Sequence, residues 1–192
     1  MKIGLFFGTF NPIHVGHLVV AGYMTEFTDL KEVWFVVSPQ NPMKTEQHLL
    51  NENQRLALVN LAVGNHPKLK INDIEFSLSK PSYTIETLAH FSEKYPEHEF
   101  VLILGTDNLT TFNKWKNFEQ ILERYSLYVY PRPGFSGGKL SSHAKIKITS
   151  APMLEISSTF IREAIRNKKD VRYMLSESVW NKILEMHYYE KE

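Results

Sequence analysis

An apolar run from Ile3 to Phe7 ends at Gly8, passes through Asn11 and Pro12, and gives way at Val15 to residues spaced for a helix. That order constrains the fold more than any other feature of the chain. Apolar residues without polar alternation read as a strand buried on both faces, and such a strand needs helices above and below its sheet. Gly8 permits a sharp exit, and Asn11-Pro12 stops regular structure. His14 and His17 then fall in the first turn of a helix that begins at a strand's carboxyl end. There, free backbone N–H groups and the helix dipole favour a phosphate.

The same alternation continues along the chain. Leu18, Val19, Ala21, Gly22, Met24 and Phe27 have helical spacing, and Val33 to Ser38 is a second buried strand that leaves through Pro39 and Pro42 around Lys44. Asn51 and Gln54 form a capping box for a helix that stops at Gly64. Leu69 to Leu78 alternates as a strand or extended segment, followed by a helix over Thr84 to Lys94 with its stop at Pro96. Phe100 to Leu104 is the most hydrophobic strand and runs into the polar loop Gly105-Thr106-Asp107. A helix around Asn117 to Arg124, a strand at Ser126 to Tyr130, a mobile surface loop over Pro131 to Ala144 and a strand at Ile146 to Thr149 come next. Ser157-Ser158-Thr159 starts a helix through Arg166, and Ser176 begins the last one.

Buried strands alternating with helices imply a Rossmann-like, doubly wound α/β fold, mainly parallel, with helices on both faces. Its ligands bind beyond the strand carboxyl ends at a topological switch point. Thr9 to His17, Pro39 to Lys44, Gly105 to Asp107 and the stretch from Pro131 would gather there. At 192 residues we expect one domain over 1–192, with a C-terminal helical part from about 157 completing the site.

Charge and composition narrow the chemistry. With 22 basic and 21 acidic residues the net charge is +1, so general attraction to nucleic acid or to anionic membranes is not expected, and any anion site must be local. Cysteine is absent, which removes disulfides, thiolate zinc sites and thiol nucleophiles. With no apolar run long enough to span a bilayer, the expectation is a soluble cytoplasmic protein. Exposed aromatics leave room for a homo-oligomer.

Neither standard phosphate loop is present. G-x-G-x-x-G is missing, and Gly137-Gly138-Lys139 is followed by Leu140 where a P-loop needs Ser or Thr. By itself a His-x-x-His pair at a helix start is compatible with capped or solvent-facing histidines, half of a metal site, or a phosphate clamp. Zinc is disfavoured because no Glu follows His14 and no cysteine is available. A clamp fits the context, since Gly16 leaves room for a nucleotide and imidazole N–H groups stabilise charge on a phosphoryl group. No metal site built from protein ligands is expected.

The stretch GTFNPIHVGH, together with ISSTFIR at 156–162, resembles the nucleotidyltransferase superfamily marked by an (H/T)-x-G-H motif and a C-terminal SSTxIR motif. Within it the chain is similar to the bacterial nicotinate mononucleotide adenylyltransferases from Lys2 to about His187. Further likeness lies in the proline-flanked Lys44, SYTIETL at 82–88, GTDNL at 105–109, Trp115, and PRPG at 131–134. The resemblance implies transfer of the adenylyl group of ATP to nicotinate mononucleotide, giving deamido-NAD and pyrophosphate in NAD biosynthesis. It implies Mg²⁺ bound mainly through ATP, and His14, His17 and Arg162 as the catalytic residues. Gly8, Thr9, Phe10, Gly16, Gly105, Ile156, Ser157, Ser158 and Thr159 would join them in binding ATP. Asn11, Lys44, Tyr83, Thr84, Asp107, Trp115 and Arg132 would bind the acceptor, with Trp115 stacked on its ring. Read from the residues alone, the preferred readings are that Trp115 is a core tryptophan, Arg132 a solvated loop charge and Lys44 a turn residue.

The chain departs from the family pattern at Glu86, where Asp is frequent, and at Met43, where His is frequent. Alternative readings are a related transferase acting on nicotinamide mononucleotide or phosphopantetheine, and a nucleotide sensor without turnover.

Overall fold

The computed structural model describes residues 1–40, 49–79 and 81–190. Six strands form one all-parallel sheet: β1 (Lys2–Gly8), β2 (Glu32–Val37), β3 (Leu69–Asn72), β4 (Glu99–Gly105), β5 (Ser126–Tyr130) and β6 (Ile146–Ile148), in the spatial order β3-β2-β1-β4-β5-β6. The helices are α1 (Val15–Phe27), α2 (Glu52–Val63), α3 (Thr84–Lys94), α4 (Thr106–Thr110), α5 (Phe118–Arg124), α6 (Ser158–Arg166) and α7 (Glu177–Glu185). From β1 the chain winds outward to β3, then returns to place β4 on the other side of β1. The switch point is therefore the gap between β1 and β4, where Leu5 lies opposite Leu102.

Successive strand residues point to opposite faces, and both faces are covered. Phe6, Phe35, Val101, Ile103 and Tyr128 pack with α1, α2, α6 and α7 through Met24, Leu58, Ile161 and Val179. Their neighbours Leu5, Val36, Leu102, Leu104, Leu127 and Val129 pack with α3, α4 and α5 through Leu88, Phe91, Leu109 and Ile121. The doubly wound arrangement expected from the alternation is the one observed.

Three local expectations need correction. The extended segment over Leu69 to Leu78 is a strand only to Asn72, because Asn72 Oδ1 accepts from the Ile74 amide at 2.9 Å and turns the chain into a 3₁₀ turn, Ile74–Ser77. The polar loop after β4 is instead the short helix α4, which starts at Thr106 with no intervening residue. The loop from Pro131 to Ala144 contains an Arg132–Phe135 bridge and a 3₁₀ turn, Gly138–Ser142. Elsewhere the Asn51 capping box, the stop at Gly64 and the Ser157 cap of α6 are as the sequence predicts.

Candidate active site

The exit of β1 is built on a buried aromatic ring. Phe10 adopts a left-handed backbone (φ 47°), which costs a non-glycine residue free energy unless its surroundings hold it there. Its ring is 2 % exposed and meets Phe6, Phe35 and His17 at centroid distances of 5.9, 5.5 and 5.1 Å. It also lies directly under Gly8, where a Cβ would come within 2.9 Å of the ring.

Two long-range bonds join this loop to α6. Ser158 Oγ donates to the Pro12 carbonyl at 2.9 Å, and Arg162 Nη1 donates to the Asn11 carbonyl at 2.8 Å. The two stretches that stand far apart in sequence, HVGH and SSTFIR, therefore share one wall. Asn11 itself is not on that wall. Its side chain is buried, with Oδ1 accepting from the Leu50 amide and from the Tyr189 hydroxyl, so it holds the loop from inside.

His14 is the N-cap of α1 and His17 lies in its first turn. The His14 amide donates to His17 Nδ1 at 3.2 Å, which leaves the proton of a neutral His17 ring on Nε2. The two rings stack at 3.8 Å. Gly16 permits this, since a Cβ there would sit 3.0 Å from His14 Cε1 and Nδ1. Loss of water around the ring, assisted by the charge of Arg132, lowers the His14 pKa to about 4. Burial, then the neighbouring His14 and Arg132, hold His17 well below the ordinary histidine range. Both rings are neutral in the free protein at pH 7, so each can offer an N–H donor and neither a net charge.

A cavity of about 240 Å³ opens between β1, α1 and α6. Gly8, Thr9, Phe10, His14, Gly16, His17, Ile156, Ser157, Ser158, Thr159 and Arg162 line it, which brings together all but one of the residues expected to bind ATP. The exception, Gly105, lines neither cavity described here; it clears space behind the wall, because a Cβ would lie 2.3 Å from Asp107 Oδ1 and 2.9 Å from Arg132 Cγ. Asp107 and Arg132, expected on the acceptor side, line this first cavity. Arg132 is fixed by its amide, which donates to Thr106 Oγ1 at 2.8 Å, while Asp107 Oδ1 is buried without a hydrogen-bond partner. Burial, with the Asp107 charge adding, pushes the Tyr130 phenol up to about 12.

A second cavity of about 670 Å³ lies between β4, α3 and the turn after α4, and Tyr83, Thr84 and Trp115 line it as expected. The two cavities share Phe6, Phe7, Gly8, Thr9, Asn108 and Tyr130, so they are two lobes meeting at the switch point. Lys44 and Met43 lie outside the described residues.

Sequence reasoning missed two buried charged side chains at this junction. Arg55 is fully buried and donates to the carbonyls of Thr9, Ser38, Pro39 and Leu50 at 2.6 to 2.9 Å. The signal was present: Arg55 occupies a slot on the apolar stripe that continues at Leu58 and Val59. Glu75 is 3 % exposed on the wall of the second cavity and accepts from Thr87 Oγ1 at 2.7 Å. Burial raises its pKa, opposed by the hydroxyls of Thr87, Ser38 and Ser82. No sequence signal marks it, because it lies in the 3₁₀ turn after β3, where strand alternation does not apply. Among the described residues no group of His, Asp and Glu could hold a metal ion by itself, and Asp107 is the one carboxylate on the first cavity's wall. Nor, among them, is any helix long and apolar enough to cross a membrane.

Comparison with known proteins agrees with this geometry. The cytidylyltransferase-like family model matches residues 5–164. A curated relative from Cytophaga hutchinsonii, named "Probable nicotinate-nucleotide adenylyltransferase", is 57% identical over 189 residues, 98% of each chain. A relative of the same name from Bacteroides fragilis is 47% identical over 96% of this chain and 92% of its own. In fold, the chain is similar to the nicotinic acid mononucleotide adenylyltransferase of Plasmodium falciparum complexed with NaAD, with a TM-score of 0.85 at 20% identity, covering 100% of this chain and 98% of that one. The sheet order, the joined HVGH and SSTFIR wall and the full-length relatives lead to one assignment: the chain belongs to the cytidylyltransferase-like family and, within it, to the nicotinate-nucleotide adenylyltransferases.

Proposed function

We propose that the first lobe binds ATP and the second the pyridine end of nicotinate mononucleotide, and that the adenylyl group passes between them to give deamido-NAD and pyrophosphate. The observation that carries this reading is the shared wall: an acceptor phosphate can reach the α-phosphorus of ATP only if the two lobes meet, and they meet at Gly8, Thr9 and Tyr130. One bond forms, from an acceptor phosphate oxygen to the α-phosphorus, and one breaks, from that phosphorus to the oxygen bridging to the β-phosphate, whose electron pair leaves with pyrophosphate. The acceptor is already anionic at neutral pH, so neither a general base nor a protein nucleophile is needed. Catalysis is alignment and stabilisation of charge.

The neutral His14 and His17 rings would donate to the α-phosphate region as negative charge shifts through it. Arg162, fixed by its bonds to the Asn11 carbonyl and Thr159 Oγ1, would take the leaving β and γ phosphates with Ser158 and Thr159. Arg132 and Asp107 would meet the acceptor's phosphate and ribose, which explains why they line the first lobe: that end of the acceptor must approach ATP. Trp115 would stack on the nicotinate ring, with backbone N–H groups of Tyr83 and Thr84 receiving its carboxylate. A single carboxylate among the phosphate-binding side chains suits Mg²⁺ held mainly by ATP oxygens, where the ion neutralises phosphate charge.

The test is an acceptor panel. With Mg²⁺ and ATP, purified protein should release pyrophosphate faster with nicotinate mononucleotide than with nicotinamide mononucleotide or phosphopantetheine. A clear preference for another acceptor would reject the assignment, and no turnover with any of them would identify a sensor.

A further inference from the structure

Lys116 belongs to none of the motifs above, yet its ammonium is closely placed. It lies 4.1 Å from the centroid of the Tyr83 ring and 2.6 Å from Glu86 Oε1. It follows Trp115 directly, and the two residues line the second lobe with Tyr83 and Thr84. The bond to Glu86 joins two side chains that are 45% and 41% exposed, and such a pair adds little to stability. Its effect is geometric. A lysine carries a long flexible stem, and the carboxylate on one side with the aromatic face on the other restrict where its charge can sit. Of three ammonium protons, Glu86 takes one, so others remain for a ligand.

The charges around this lobe are unevenly distributed. Its described lining holds Lys114 and Lys116 on either side of Trp115, with one acid, Glu75, buried against the Thr87 hydroxyl, while the half-exposed Glu86 sits beside the lining, paired with Lys116. With Glu86 set against the two lysines, the exposed charge here is net positive.

We propose that Lys116, steadied by Tyr83 and Glu86, is a specificity-determining residue that selects an acidic pyridine nucleotide over its amide by charge. This rests on the proposed function and deepens it. Backbone N–H groups bond the oxygen of a carboxylate or of a carboxamide, so they separate the two acceptors only through the amide's unsatisfied NH₂. A cation beside them adds an attraction that the neutral amide does not have. That attraction weakens with salt, because the site is open to solvent.

The experiment compares kcat/KM for nicotinate and nicotinamide mononucleotides at low and high ionic strength in wild type, Lys116→Met and Lys116→Arg. Lys116→Met keeps the stem and removes the charge. It should cut the acid-to-amide preference about tenfold at low salt, through a higher KM for the acid, with the KM for ATP unchanged. Lys116→Arg should retain most of the preference, and added salt should narrow it in wild type but not in Lys116→Met. An unchanged ratio in Lys116→Met, or an equal fall for both acceptors, would overturn the inference while leaving the proposed function intact. Absence of turnover with nicotinate mononucleotide in wild type would instead reject both.

Discussion

Arg55 Nη1 donates to the carbonyl of Thr9 at 2.6 Å, across 46 residues, from a side chain with no exposed surface. Thr9 lies on the wall shared by the two lobes, and the same guanidinium holds Ser38 and Pro39 at the exit of β2 and Leu50 before α2. One planar group thus fixes two loops at the switch point.

Replacing Arg55 by Met fills much of the same space but leaves those carbonyls without this donor. A buried acceptor left unsatisfied costs about 1–3 kcal/mol. We expect a loss of at least about 3 kcal/mol in denaturant unfolding, together with higher KM values for both substrates. A variant that unfolds at the wild-type midpoint would show that the four bonds contribute nothing net.

His17 presents a protonated Nε2 because its Nδ1 is committed to the His14 amide. His17→Ala removes a donor used in the transition state, so kcat should fall about a hundredfold or more while ATP binding weakens much less. Single-turnover kinetics with a separate ATP titration distinguishes the two effects. If ATP affinity falls as far as the rate does, the ring is a ground-state contact only.

Much of this arrangement was legible from local pattern. The strands are runs of Val, Ile, Leu and Phe bounded by Gly and Pro, and their alternation with helices requires a two-sided parallel sheet. His14, His17 and Ser157 occupy helix starts, where position in the chain dictates geometry. What local pattern does not encode is which polar side chains fold inward. Asn11 was expected on the acceptor side from the resemblance alone; that its side chain is buried depends on Tyr189, 178 residues later. Glu75 was hidden because it lies in the 3₁₀ turn that the Ile74 amide starts by donating to Asn72 Oδ1, outside the strand's alternation. That Asp107 and Arg132 line the first lobe is likewise not in the local pattern, since their position depends on the close approach at Gly105.

The depressed pKa of His14 makes stability depend on pH in a stated direction. In the unfolded chain the ring titrates near 6.5, whereas in the folded protein it does so at about 4. As pH falls below 6.5 the unfolded state takes up a proton that the folded state refuses, so stability is lost between pH 6.5 and 4 and is insensitive to this group above. The full difference corresponds to about 3 kcal/mol. His14→Asn should shallow this slope in a series of thermal melts, leaving the share of His17, whose pKa is depressed in the same direction. An equal slope in both proteins would place the titration elsewhere.

The proposed place of the acceptor ring, in the second lobe, rests on Trp115. It is partly buried, with its ring 5.0 Å from Phe112 and tilted against it by 46°, and it lines the second lobe. Trp34, by contrast, is enclosed by Phe91, Tyr95 and Phe100, and Trp180 is 9 % exposed in the core beneath the other face. A stacked pyridinium ring should therefore change the emission of Trp115 alone. In a protein carrying Trp34→Phe and Trp180→Phe, nicotinate mononucleotide should quench fluorescence without ATP, saturating at the concentration that gives half-maximal activity. Trp115→Ala should raise the KM for this acceptor at least about tenfold while leaving the KM for ATP in place, because a stacked aromatic ring contributes about 1–3 kcal/mol. Loss of stability with an unchanged acceptor KM would make Trp115 a core residue, and the second lobe would then need another occupant.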